Sequence, residues 1–191
     1  MASSQIKAQK RLFLALPLDI FRDEITLLLD QCRKRLPQVK WVRPAGVHVT
    51  LHFFGNTDSE KIPALESLIQ SCSEPFPAFN LNLENLGCFP NTLKPRVLWL
   101  GLGGETERLT QLQKNISQAL ETRGFEIEKR PFVPHATLAR CPRVDPSISE
   151  GLKSLRLEKT RSKSFHHLIL FESHRGPEGS LYEEVQRFSL A

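Results

Sequence analysis

Four cysteines are spread through 191 residues, at Cys32, Cys72, Cys88 and Cys141, and none forms a Cys-x-x-Cys pair. The usual zinc and thioredoxin spacings are therefore absent. Free thiols in a reducing compartment are the simplest reading, which makes the expected location cytoplasmic. No stretch approaches the roughly 18–20 apolar residues of a membrane span, so no membrane association is expected. The apolar run 12–16 follows Lys7, Lys10 and Arg11 in the manner of a leader. It is short, is stopped by Pro17-Leu18-Asp19, and has no small-residue cleavage pattern behind it. It reads better as a first strand. There is no Gly-rich strand-to-helix turn of the kind a nucleotide-binding parallel sheet uses. No Ser/Gly-rich linker divides the chain, so one compact unit is expected. Charged residues make up 25%, an ordinary share that argues against disorder.

What is present is a modest positive excess, a net charge of +5, and 40% hydrophobic residues, enough for one sizeable core. The excess fits a polyanionic ligand such as RNA, although on charge alone a slightly basic soluble protein is the simpler reading. Residues 1–10 read as a polar, flexible tail. After Asp19, a fair N-cap, Phe21, Ile25, Leu28, Leu29, Cys32 and Leu36 recur at helical spacing, and Pro37 closes the helix. Short strands are expected at 40–42 and 47–54, a helix striped by Ile62, Leu65, Ile69 and Cys72, and a half-buried strand from Phe79. The order then repeats. It runs through a strand at 96–102, a helix striped by Leu109, Leu112, Ile116 and Leu120 and closed by Gly124, strand candidates at 125–132 and 135–139, a short helix within 147–155, and strands at 165–171 and 181–190. The expected architecture is α+β. A duplicated two-lobe unit, with pseudo-repeats about 11–86 and 96–171, would place an antiparallel sheet with outer helices in each lobe and a cleft between them. A parallel α/β sheet is the rival arrangement.

One pattern occurs twice, at matching places in the repeated order. Val47-His48-Val49-Thr50-Leu51 and Pro134-His135-Ala136-Thr137-Leu138 each read His, any residue, Thr, Leu. In a strand, residues two apart share a face, so His48 pairs with Thr50 and His135 with Thr137. If the two strands meet, two imidazoles and two hydroxyls converge. An imidazole titrates near neutrality, so two of them can divide the work of acid and base. Threonine hydroxyls can donate to phosphate oxygens while charge builds there. The residues alone do not say which histidine is acid and which is base. His52 would share the face of His48 and Thr50. No Asp or Glu stands in either motif strand, so no metal is expected. Arg140 would face away in an unbroken strand but could reach a phosphate through a bulge or strand end near Ala139. Phe132 could stack on a base or sit in the core. Arg130 flanks the same motif, and Lys40 and Arg43 could form a basic lip. His166, His167 and His174 read as surface or edge residues.

Four stretches together resemble the two-histidine phosphoesterase superfamily, and within it the bacterial and archaeal RNA 2′,3′-cyclic phosphodiesterases, first described as 2′–5′ RNA ligases. They are Arg11-Leu12-Phe13-Leu14-Ala15-Leu16-Pro17, Trp41-Val42-Arg43-Pro44 leading to the first motif, Pro95-Arg96-Val97-Leu98-Trp99-Leu100-Gly101, and Lys129-Arg130-Pro131-Phe132-Val133 leading through the second motif to Ala139-Arg140. The resemblance implies a bilobal fold and metal-independent opening of a terminal RNA 2′,3′-cyclic phosphate to a 2′-phosphate and a 3′-hydroxyl. It makes His48 the proton donor to the leaving 3′ oxygen and His135 the proton acceptor that activates water, with Thr50, Thr137 and Arg140 on the phosphate. No cofactor is implied. The expected partner is an RNA end, tRNA fragments among the candidates, met by a monomer. Three other readings keep part of this picture: an RNA-end binding module, the same chemistry on a small cyclic nucleotide, and 2′–5′ ligation by the reverse reaction.

Overall fold

The computed structural model describes residues 8–141, 145–155, 157, 159–176 and 179–191. Most of the expected tail therefore lies outside the described residues, as does the centre of the 174–180 turn. From Gln9 the chain is already in strand β1 (Gln9–Pro17). A 3-10 turn over Asp19–Phe21 leads into α1 (Arg22–Arg35). Asp19 thus lies inside that turn and makes no side-chain cap. Helix α1 buries Ile25, Leu28, Leu29 and Cys32, the stripe its spacing announces. After it come β2 (His48–Asp58), α2 (Ile62–Ser73), β3 (Phe79–Phe89), β4 (Val97–Gly104) and α3 (Thr106–Thr122). The last stretch holds β5 (His135–Arg140), α4 (Pro146–Ser154), β6 (Lys163–Phe165), β7 (His167–Gly176) and β8 (Gly179–Ser189).

All pairings are antiparallel, in one eight-stranded sheet of order β6-β3-β4-β5-β2-β1-β7-β8. The rival parallel sheet is excluded. One strand of each half crosses over to pair with the other half's first strand. Strand β3 pairs with β4 of the second half, and β7 pairs with β1 of the first. Each group of four strands is thus built from both halves of the sequence. The two groups join at one described pair, Val49 opposite Ala136.

Apolar residues explain this layout. In β1, Leu12, Leu14, Ala15 and Leu16 are fully buried and Phe13 nearly so, as befits a strand covered on both faces. Leu12, Leu14 and Leu16 join the larger of two core clusters with Val49, Leu51, Ala136 and Leu138 and the stripes of α1, α2 and α3. Helix α3 ends at Gly124, whose φ of +76° an L side chain would resist, and whose amide donates to the Glu121 carbonyl. Helix α4 has the one side-chain N-cap bond found at these four helices, from the Ser147 amide to the Asp145 carboxylate.

Two expected strands are not formed. Residues 125–132 are irregular. Phe125 and Ile127 do pack on the core, but Pro131 and Pro134 lack the amide protons a ladder needs. Residues 40–42 supply only a bridge from Trp41 to Ala139. Among the described residues, no helix is long and apolar enough to cross a membrane.

Candidate active site

The pair joining the two strand groups also builds the site. Val49 and Ala136 are fully buried. Their sequence neighbours must then project from the opposite face of the sheet. In an antiparallel pair, the residue before one partner lies across from the residue after the other. His48 is therefore set across from Thr137, and Thr50 across from His135, about a local twofold. All four line one cavity of about 640 Å³, together with Arg140. The segment Trp41–Val42 lines this cleft. It runs beside β5 where β2 would otherwise continue, bridging Trp41 to Ala139 and donating the Val42 amide to the Leu138 carbonyl at 2.9 Å.

Each motif strand carries a bulge at its leucine. On β2, Leu14 of β1 faces His52 and the next residue, Ala15, faces Thr50, so Leu51 is the extra residue. On β5, Leu98 faces Ala139 and Trp99 faces Thr137, so Leu138 is extra. A bulge reverses the alternation beyond it. Two consecutive residues then point inward, Leu51 with His52 and Leu138 with Ala139, all at most 5% exposed. The fifth position after each histidine turns back to the cleft, Phe53 on one strand and Arg140 on the other. This is how Arg140 reaches the site, by a bulge one residue earlier than Ala139. It also removes His52 from the cleft. His52 is buried, its Nε2 bonds to the Glu126 carbonyl at 3.1 Å, and its ring lies 4.5 Å from that of Phe54. Burial lowers its pKa.

Both motif histidines are held alike. His48 Nδ1 bonds to the Gly46 carbonyl at 2.8 Å, and His135 Nδ1 to the Val133 carbonyl at 2.7 Å. A carbonyl only accepts, so Nδ1 carries the proton in each ring and Nε2 is left to exchange one. The surroundings differ. His48 is wedged among Phe13, Phe171 and Tyr182, with ring centroids at 4.8, 6.3 and 5.2 Å. Its desolvation there lowers the pKa to about 4, against the raising effect of the Gly46 carbonyl. His135 meets Phe89 edge-on at 5.0 Å and Trp99 at 6.5 Å.

Among the described lining residues there are four cations, Arg11, Lys40, Arg43 and Arg140, and no carboxylate. The cavity suits an anion. Lys40 and Arg43 thus stand where a basic lip was expected. Arg130 does not line the cavity. It lies on the surface, paired with Glu128 at 2.7 Å. Phe132 packs against the core instead of lining the cleft. Phe53 and Tyr182 were not singled out by the sequence. Phe53 is hidden by the bulge, and Tyr182 arrives on the β7–β8 hairpin from far along the chain. Of the remaining histidines, His167 accepts from Arg187 at 2.6 Å, and His174 lies on the hairpin beside Glu183.

Among the described residues, Glu172, His174 and Glu183 form a grouping with ligand atoms close enough to share a cation. Lys10 already sits 2.7 Å from a Glu172 oxygen. A smaller hollow of about 350 Å³ by Lys61, Arg123 and Phe125 contains no histidine.

The model of the 2′-5′ RNA ligase superfamily matches residues 21–177. A Methanothermobacter thermautotrophicus protein named RNA 2′,3′-cyclic phosphodiesterase is 31% identical over 94% of this chain and 98% of its own. A Bacillus subtilis protein of the same name is 37% identical over 80% of this chain and 81% of its own. Among solved structures, E. coli LigT complexed with 3′-AMP superposes with a TM-score of 0.75 at 25% identity, covering 96% of this chain and 99% of that one.

Proposed function

The chain belongs to the 2′-5′ RNA ligase superfamily, and from that premise we propose that it hydrolyses a terminal RNA 2′,3′-cyclic phosphate to a 2′-phosphate and a 3′-hydroxyl, acting as one bilobal unit of two pseudo-repeats. The observation that carries this reading is the Val49–Ala136 pairing, which turns two histidines and two threonines towards one cationic cavity.

Water attacks phosphorus opposite the 3′ oxygen. His135 takes the water's proton at Nε2 as the new P–O bond forms. The P–O3′ bond breaks, and His48 delivers a proton from its own Nε2 to the departing oxygen. These directions follow the family resemblance. Thr50, Thr137 and Arg140 hold the non-bridging oxygens while phosphorus is five-coordinate. The Nδ1 bonds to Gly46 and Val133 keep each ring from turning.

A donor must enter the reaction charged, yet burial holds the His48 pKa at about 4. The substrate's own negative charge answers this, because an anion beside an imidazole favours the imidazolium. Accordingly, nitrogen NMR on the ligand-free protein should show the His48 ring neutral, protonated at Nδ1, until the pH falls to about 4. Saturation with a nucleoside 2′-monophosphate should raise that midpoint. By linkage the nucleotide then binds more tightly as pH falls from the raised midpoint towards the free one. A midpoint unmoved by the nucleotide would contradict the donor role.

The activity itself is tested with an oligonucleotide ending in a 2′,3′-cyclic phosphate, in excess EDTA. Conversion to the 2′-phosphate at an undiminished rate is expected. A surviving ring, a 3′-phosphate product, or a rate restored only by added metal would each defeat the proposal.

A further inference from the structure

The β7–β8 hairpin shows a different chemistry on each face. Ser173 stands opposite Tyr182 in the ladder, and both line the cleft. Their neighbours Glu172 and Glu183 also stand opposite one another, and so project from the far side of the sheet. Like charges paired directly across two strands repel. Lys10 answers only part of this. It holds one Glu172 oxygen, Oε2, at 2.7 Å. That hydrogen bond raises the Lys10 pKa against its partial desolvation, and the charges of Glu172, Glu183 and Glu66 add to the rise. Three carboxylates thus surround one ammonium. The second Glu172 oxygen, Oε1, is turned towards His174, which shares its face two residues further on. His174 Nε2 lies 3.8 Å from Glu172 Oε1 and 3.3 Å from Glu183 Oε2.

We propose that Glu172 Oε1, His174 Nε2 and Glu183 Oε2 bind one divalent transition-metal ion of the zinc type, on the side of the hairpin away from the cleft. One imidazole nitrogen with two carboxylate oxygens is a donor set that zinc accepts. Bonds of about 2.0–2.2 Å to a tetrahedral ion set its ligands roughly 3.4 Å apart. The spacings of 3.3 and 3.8 Å bracket that value, and all three ligand atoms lie within 4.8 Å of one another. Glu172, with its side chain only 14% exposed, is already placed by Lys10, so binding orders little more than the two exposed side chains. The ligands come from both strands, Glu172 and His174 from β7 and Glu183 from β8. An ion between them turns a repulsive pair into a staple and leaves Lys10 its own oxygen. The staple lies behind the strand pair that carries Ser173 and Tyr182 to the cleft. It touches neither motif histidine, so it holds the hairpin and takes no part in the reaction. The proposal is independent of the cyclic-phosphate reading.

The test is calorimetric titration of the whole chain, stripped with EDTA and then freed of it, with zinc chloride, beside thermal melts. Wild type should take up one equivalent and melt at a higher temperature as zinc rises. Mg²⁺, which favours octahedral oxygen sites, should not replace it. H174A and E183Q should each weaken zinc binding by at least roughly 10- to 100-fold, since losing even a partner behind a ligand costs that much, and should lose the zinc-dependent rise in melting temperature. Both side chains are exposed, so both variants should fold. H135A and C72S remove the rival donors, one in the cleft and one a partly exposed thiol, and should bind zinc as wild type does. No uptake by wild type, uptake unchanged in H174A, or uptake lost in H135A or C72S would each overturn the site. Opening of the cyclic phosphate in EDTA is scored separately, and should be equal in wild type and H174A. Its failure in both would refute the catalytic reading, while zinc uptake would still decide the staple.

Discussion

Replacing either His48 or His135 by alanine is expected to slow opening of a 2′,3′-cyclic phosphate by roughly 10²–10⁴-fold, the usual worth of one positioned acid or base. The two losses should not multiply. On the proposed mechanism acid and base serve a single displacement at phosphorus, so once one is gone the other has less to act on, and the double variant should resemble the worse single one. The two positions differ in what a failed fold could contribute. His48 is packed among Phe13, Phe171 and Tyr182, so truncation there leaves a hole, and His48→Gln offers a fuller replacement that cannot titrate. His135 has a more open setting against Phe89 and Trp99, so its alanine variant should melt close to wild type. Rates measured beside melting temperatures separate lost chemistry from lost structure. Near-normal turnover by a well-folded variant would remove that residue from the mechanism.

The sequence reveals the repeat and hides the bulges. The helical stripes of α1, α2 and α3 are legible because burial at every third and fourth position has no other economical cause. The doubled His-x-Thr is legible because two residues apart on a strand share a face wherever the strand bends. Strict alternation extended past Thr50 puts His52 in the cleft and Phe53 in the core, and the structure has them the other way round. Nothing in Leu51 or Leu138 marks an extra residue. The bulge exists because β1 and β4 pair in a particular register, and because outside donors reach the bulged carbonyls. The Val42 amide serves Leu138, and the Gln113 side chain serves Leu51 at 3.4 Å. Those partners are long-range and leave no local signature. The same holds for Tyr182 and for the exchanged strands β3 and β7. Their places depend on which edge is left open when the halves meet, a fact no single segment contains. The irregular stretch 125–132 shows the opposite error. Phe125 and Ile127 alternate like a strand and are partly buried against the core, yet the prolines that follow deny them a ladder.

Thr50→Val and Thr137→Val should each lower kcat by roughly 10²–10³-fold, the cost of removing one donor aimed at a developing oxyanion. Valine keeps the branched shape that suits a strand, and Thr50 is exposed while Thr137 is partly so, so the hydroxyl is the chief thing lost. Serine restores that hydroxyl and should recover most of the rate. The local twofold sets Thr50 across from His135 and Thr137 across from His48, one hydroxyl beside each proton-transferring ring. The two valine variants should therefore be impaired to a similar degree, which a site with one dominant anchor would not produce. The loss should fall on kcat more than on KM. In the proposed mechanism the hydroxyls meet the phosphate in the ground state too, but the charge they face grows as phosphorus becomes five-coordinate. If both variants instead kept kcat and only raised KM, the threonines would be holding the bound ester alone. Transition-state charge would then rest on Arg140, which the second bulge turns into the cleft.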